Sequence, residues 1–164
     1  MFENEQIYNF WPPCSFLWDG NVQKKLKSQI FMNRKAPDMY TFTTLYEQYD
    51  TAVHQGRREP ELWLQNLTGR KKEFCEWLKR EGGARGQLRS SSIVSYVESI
   101  SACSEYVRLV MKLDADFYMV EDAATVEKLI KVMKADPYFY YFTNFLQIQP
   151  TTAIKRYLDF CRDC

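Results

Sequence analysis

Ser92-Ile-Val-Ser-Tyr-Val-Glu-Ser-Ile-Ser-Ala-Cys-Ser-Glu-Tyr-Val-Arg-Leu-Val-Met-Lys112 is the stretch on which the fold turns. Its apolar side chains stand at Ile93, Tyr96, Val97, Ile100, Val107, Val110 and Met111, with small serines and a cysteine between them. Steps of three and four residues align these groups on one stripe of an α-helix about five turns long. Ser90, Ser91 and Ser92 stand at its start, where a serine oxygen can accept from the first-turn N–H groups. Val110, Met111 and Leu113 crowd the far end, which predicts burial nearly all round. A helix this apolar needs other helices to cover it.

The flanking sequence supplies them. Upstream, Thr43 to Gln55 reads as a helix with Leu45, Tyr49, Ala52 and Val53 inward, ended by Gly56. Pro60 suits a first helical position before Leu62, Trp63, Leu64 and Leu67. Arg70 to Glu81 places Phe74, Trp77 and Leu78 at i, i+3 and i+4, and Gly82-Gly83-Ala84-Arg85-Gly86 stops that helix. Downstream, Asp122 caps a helix carrying Val126, Leu129, Ile130 and Met133, with Lys128, Lys131 and Lys134 outward. Asp136-Pro137 breaks it ahead of the aromatic run Tyr138–Phe142. A last helix starts near Pro150, with Ile154, Tyr157, Leu158 and Cys161 inward.

The first twenty residues differ in kind. Phe2, Tyr8, Phe10, Trp11, Phe16 and Trp18 are crowded around Pro12-Pro13, which forbids a continuous helix. The expectation is an irregular arm whose rings pack on the body, followed by a helix from Asn21 to about Met32. A base-stacking platform is the other use for such rings. The fold class expected is therefore all-α, a compact helical bundle with an aromatic-rich irregular N-terminal arm. Its parts are an arm plus helices over 1–58 and a helical module over 59–164, or one continuous domain.

At 164 residues the chain can build a proper core without staples. No apolar run approaches the roughly 20 residues of a membrane span, and the acidic, polar start Met1-Phe-Glu-Asn-Glu-Gln6 is unlike a signal peptide. A cytoplasmic location is expected, with all five cysteines as reduced thiols. Net charge is +1, but residues 54–92 carry nine lysines and arginines against five glutamates, an excess of four. A localised basic patch points to nucleic acid, and a solvated helix face accounts for it equally well.

Catalytic chemistry finds little footing. His54 is the only histidine. The Gly82–Gly86 loop lacks the Lys-Ser/Thr ending of a P-loop, although its N–H groups and Arg85 can still meet a phosphate. Cys161-Arg-Asp-Cys164 has C-x-x-C spacing but no second pair to complete a zinc site. It also ends a helix, where the dipole opposes a thiolate. No catalytic residue, metal, cofactor or enzymatic activity is expected.

Phe74-Cys-Glu-Trp-Leu-Lys-Arg-Glu-Gly82 followed by Ser92-Ile-Val-Ser-Tyr96 resembles the helical core-binding (SAM-like) N-terminal domain of tyrosine recombinases and phage integrases. There an F-x-x-W-L helix, a glycine turn and a serine-rich helix start recur. The downstream part resembles a helical module that precedes HNH-type restriction nucleases. Thr151 to Phe160 match its closing Tyr-Ser-x-Ala-Leu-Lys-Arg-Tyr-Leu-x-Phe helix, and Asp136-Pro137-Tyr138-Phe139 its Asn/Asp-Pro-x-Phe segment. The resemblance spans residues 73–163 and implies a module that binds DNA or positions it for a catalytic domain. The expected function is a non-catalytic DNA-binding protein of mobile-element or restriction type that contacts the phosphate backbone. The candidate contacts are Arg70, Lys71, Lys72, Arg85 and Arg89, with Lys155 and Arg156 added from the last helix. The alternative is a phage-type adaptor or inhibitor that blocks a host nuclease, meeting its protein partner through residues 1–20.

Overall fold

The computed structural model describes residues 37–145 and 150–164. The aromatic arm and the helix capped by Asn21 lie outside the described residues. The described chain is all-α, and its sole β feature is a bridge between Gly83 and Gly86.

Helix α1 runs over Met39–Arg58 and starts four residues before the sequence pattern suggests. Asp38 caps it, accepting from the Thr41 N–H at 2.9 Å and the Thr41 hydroxyl at 2.8 Å. Phe42, Leu45, Tyr49 and Val53 form its buried stripe. Gly56, expected to end the helix, lies inside it and is buried. A Cβ there would come within 2.6 Å of Val94 Cγ1 and 3.0 Å of the Trp63 ring, so the absent side chain lets three elements close on one point. Helix α2, Pro60–Gln65, is a single short piece that leans Trp63 and Leu64 on the core while Leu62 stays exposed. Helix α3, Gly69–Glu81, buries Phe74, Cys75, Trp77 and Leu78. It stops at Gly82, whose φ of 64° lies in the left-handed region that glycine adopts freely.

Helix α4, Ser90–Leu109, is the central element, in contact with α1, α2, α3, the last helix and a short 3-10 turn at Phe117–Met119. Its buried face carries Ile93, Val94, Val97, Ile100, Cys103, Tyr106 and Val107. Tyr96 is half-buried and packs against the edge of this core, so the stripe is rotated slightly from the one the periodicity suggests. The far end matches the reading: Val110, Met111 and Leu113 are all buried. Lys112 turns the chain there with φ of 56°, and the Leu113 N–H closes the turn on the Val107 carbonyl at 3.1 Å.

Helix α5, Ala123–Ala135, begins on Asp122, which accepts from Ala124 N–H at 3.3 Å and Thr125 N–H at 2.8 Å. Helix α6, Phe139–Phe145, and helix α7, Pro150–Asp163, complete the order. Helix α7 lies against α3, α4 and α5. Tyr157 is its centre, with ring contacts to Phe74 at 5.0 Å and Tyr118 at 5.4 Å and its hydroxyl donating to the Phe117 carbonyl at 2.7 Å. Across the core, the Tyr106 hydroxyl donates to Asp136 Oδ2 at 2.7 Å, so the buried carboxylate at the end of α5 has its partner. The buried residues of α1 and those of the second half belong to one hydrophobic cluster, so the division at 58/59 falls within a shared core. Among the described residues no helix is long and apolar enough to cross a membrane.

Candidate nucleic-acid interface

The site forms where α3 hands over to α4. After Gly82 the backbone doubles back. Gly83 N–H donates to the Gly86 carbonyl at 2.7 Å and Gly86 N–H to the Gly83 carbonyl at 3.1 Å, which leaves Ala84 and Arg85 as the exposed tip of a two-residue hairpin. Arg89 is the extended residue that opens α4, with ψ of 147°. This corrects the serine-cap expectation. With Arg89 in the N-cap position, Ser90, Ser91 and Ser92 fall inside the first turn and no side chain caps the helix. The later serines bond back to their own helix, Ser95 to the Ser91 carbonyl and Ser99 to the Ser95 carbonyl. The start of a 20-residue helix, its positive dipole end, therefore has no side-chain cap.

The seven candidate cations divide sharply. Arg70 keeps only 14% of its side chain exposed. Its guanidinium lies over the Phe160 ring at 4.9 Å and donates to the Glu121 carbonyl at 3.2 Å and to Cys161 Sγ at 3.6 Å. Lys71 sits over the Tyr118 ring at 5.4 Å. Arg156 lies over the Trp77 ring at 4.8 Å and donates to the Gly82 carbonyl. These three bind elements of the protein to one another. Lys72, Arg85, Arg89 and Lys155 are exposed, and among the described residues no ion pair holds them. Elsewhere on α3 the charges cancel locally, Lys79 with Glu76 at 3.2 Å and Arg80 with Glu81 at 3.3 Å.

Arg156 matters to the site in a different way, because Gly82 is the base of the hairpin that carries Arg85 at its tip. A bond from α7 to that base fixes where the tip stands. Arg57, which follows the glycine expected to end α1, joins the site as well. Because α1 runs to Arg58, Arg57 reaches the start of α4 and donates to Ser95 Oγ at 2.6 Å. Its only sequence signal is its place one residue after Gly56, and the signal appears once Gly56 is read as a point of close approach.

The rest of the chemistry is quiet. Burial pushes the Cys75 thiol up to about 11 and Cys103 up to about 12, so neither offers a thiolate nucleophile near neutral pH. Cys161 is buried and Cys164 exposed, and both are free thiols. Cys14 lies outside the described residues. Among the described residues no three His, Cys, Asp or Glu side chains converge as a metal-binding group. His54 points to solvent from α1, its Nδ1 2.9 Å from the Asp50 carbonyl oxygen. What the handover between α3 and α4 brings together is a helix start without a side-chain cap, a tight turn and two exposed guanidiniums with no ion pair among the described residues. No protein-family model matches the chain, and comparison with curated proteins and with solved structures gives no match.

Proposed function

We propose that the chain is a non-catalytic DNA-binding protein of mobile-element or restriction type, related to the integrase core-binding module, that holds the phosphate backbone at the start of α4. One observation carries the reading: Arg85 and Arg89 stand exposed and unpaired beside a helix start that no side chain caps. Guanidiniums suit phosphate by charge and by planar geometry. Lys155 extends the contact from α7 and Lys72 adds charge from the first turn of α3, while Arg156 supports the base of the hairpin from within. Such a surface meets backbone oxygens rather than base edges, so the binding is electrostatic and tolerant of sequence.

Titration of duplex DNA against salt tests this. Four cations predict a log–log slope of roughly −4, and replacing Arg85 and Arg89 with Ala flattens it by about two units. Far-UV circular dichroism of the double variant stays that of the native protein. If the native protein shows no salt-sensitive retention on DNA at low ionic strength, the assignment passes to the adaptor reading, in which a protein is the partner.

A further inference from the structure

We propose that Cys161 and Cys164 are a reversible oxidation site at the end of α7, where a hydroperoxide closes the two thiols into a disulfide and closure takes the Cys161 sulfur from Arg70. Cys161 lies on the last turn of the helix and Cys164 follows it directly. The Cys164 N–H donates to the Phe160 carbonyl at 3.2 Å, so helical spacing continues through the second cysteine. That spacing holds the two Cα atoms about 5 Å apart. A disulfide spans roughly 4.4–6.8 Å between Cα atoms, so the pair is within reach without moving the helix. The two thiols differ in surroundings. Cys164 is exposed and lines an open cleft of about 500 Å³ with Lys72, Glu73, Trp77 and Arg80, which a small oxidant can enter. Cys161 is buried, and its sulfur accepts from the Arg70 guanidinium at 3.6 Å.

The direction of the Cys161 side chain makes the pair a switch. Burial pushes its thiol up, and hydrogen bonds with Arg70 and Tyr157 draw it back. Tyr157 stands one turn before Cys161 on α7, whereas Cys164 stands one turn after it. A side chain rests in one staggered well at a time, so the sulfur that faces Tyr157 and Arg70 must turn to meet Cys164. Turning removes one of the acceptors by which Arg70 ties α3 to α7 and leaves it the Glu121 carbonyl and the Phe160 ring. In the first step the Cys164 thiolate attacks one oxygen of a hydroperoxide, ROOH. The O–O bond breaks, ROH leaves, and Cys164 becomes a sulfenic acid. The Cys161 sulfur then attacks the Cys164 sulfur, the S–O bond breaks, and the departing hydroxide takes the Cys161 proton as water. Two thiols and ROOH thus give one disulfide, ROH and water. A helix C-terminus opposes a thiolate but not an uncharged disulfide, so the end of α7 suits the closed product better than a standing nucleophile.

Titration of the full chain with hydrogen peroxide, followed by peptide mapping, tests the site. The expected product is an intrachain Cys161–Cys164 bond, two hydrogens lighter than the dithiol and reversed by dithiothreitol. Oxidation of Cys164 to the sulfinic acid without that bond overturns the proposal, as does a link from Cys164 to a second chain or to another cysteine. Equilibration in a glutathione buffer then reads the part played by Arg70. Because Arg70 holds the sulfur only in the reduced form, Arg70→Gln should raise the equilibrium constant for the disulfide about tenfold, equivalent to about 30 mV. Far-UV circular dichroism checks that the variant stays helical, and an unchanged constant overturns the coupling. The native chain supplies a second readout that needs no variant. Tryptic cleavage after Arg70 should rise several-fold on oxidation and fall back on reduction, since cleavage follows the population of the open form. Equal cleavage of the two forms overturns the coupling as well.

Discussion

Arg156, reaching over from α7, and Arg89 meet the two ends of one short loop, yet their surroundings differ in every respect. Arg156 rests on the Trp77 ring and donates to Gly82 at the base of the loop. Arg89 closes the loop from the other side, exposed and without an ion pair among the described residues. The same contrast separates Arg70, held by Phe160, Cys161 and Glu121, from Arg85 at the hairpin tip. A count of positive charge along the chain treats these residues alike. The structure sorts them into cations that assemble the fold and cations available to an anion, and only the second group can carry a salt-dependent interaction.

The largest test of that division strikes the aromatic floor beneath the inward cations. Tyr157 is fully buried, touches Phe74, Phe117, Tyr118 and Phe160, and gives its hydroxyl to Phe117. Tyr157→Ala should cost about 3–5 kcal/mol in urea denaturation, the range for a large aromatic truncated in a core. A loss below about 1 kcal/mol would mean that α7 packs with another face inward. Arg156→Ala comes next. It removes a stacked guanidinium and its hydrogen bond to Gly82, and half-burial limits the loss to about 1–2 kcal/mol. If the variant keeps its stability and instead flattens the DNA salt slope by about one unit, Arg156 belongs with the outward cations and the division fails.

A pH experiment sharpens the case of Lys71, the third inward cation. Lys71 is near Glu98, whose carboxyl is raised above the usual range, first by burial, with Lys71 and a hydrogen bond from Trp63 pulling it back down. A folded-state value above the unfolded one means that the carboxyl's contribution to stability is greatest when protonated and is lost as pH rises through the folded value. Glu98→Gln cannot ionise, so at pH 7 it should be more stable than the native protein. That advantage should vanish as the pH falls to about 4, where the unfolded carboxylate also takes up its proton. Urea midpoints at the two pH values decide it. A variant that is less stable at pH 7 would show that attraction to Lys71 outweighs burial.

Much of this architecture is legible along the chain because helices write themselves locally. The Asp122 cap, the proline at the start of α2, the Gly82 stop and the buried cluster at Val110, Met111 and Leu113 all depend on residues within a turn or two of one another. The departures share another cause. Gly56 reads as a stop by its local conformational freedom, but its role is set by Val94 and Trp63 across the core. Met39 and Tyr40 escape a periodicity search because both are exposed, although Asp38 and Thr41 carry the cap. For the site, the position of Arg85 on a tight turn could be read from the glycines around it. The burial of Arg70 and Arg156 could not, since the rings beneath them, Phe160 and Trp77, are encoded far away in sequence. A lysine or arginine is long enough to lie along a distant aromatic face, and charge alone does not say which one will.

The smallest expected effect comes from cations of a third kind, solvated and locally paired. Lys131 on α5 faces Glu127 at 3.4 Å across one turn, with 69% of its side chain exposed, and Arg162 of α7 reaches the same carboxylate at 3.6 Å. An exposed pair at this spacing contributes about 0.3–0.5 kcal/mol, and removing the lysine leaves Glu127 its arginine. Lys128, one residue after Glu127, has no ion pair among the described residues and lies on α5, which packs against α6 and α7. Lys128→Ala with Lys131→Ala should therefore shift stability by less than about 0.5 kcal/mol. It should also leave the DNA salt slope within about half a unit of the native value, against the two units expected from Arg85 and Arg89. Equal flattening by both double variants would show that the interaction follows total charge. In that event the distinction between inward and outward cations would describe the fold without describing the binding.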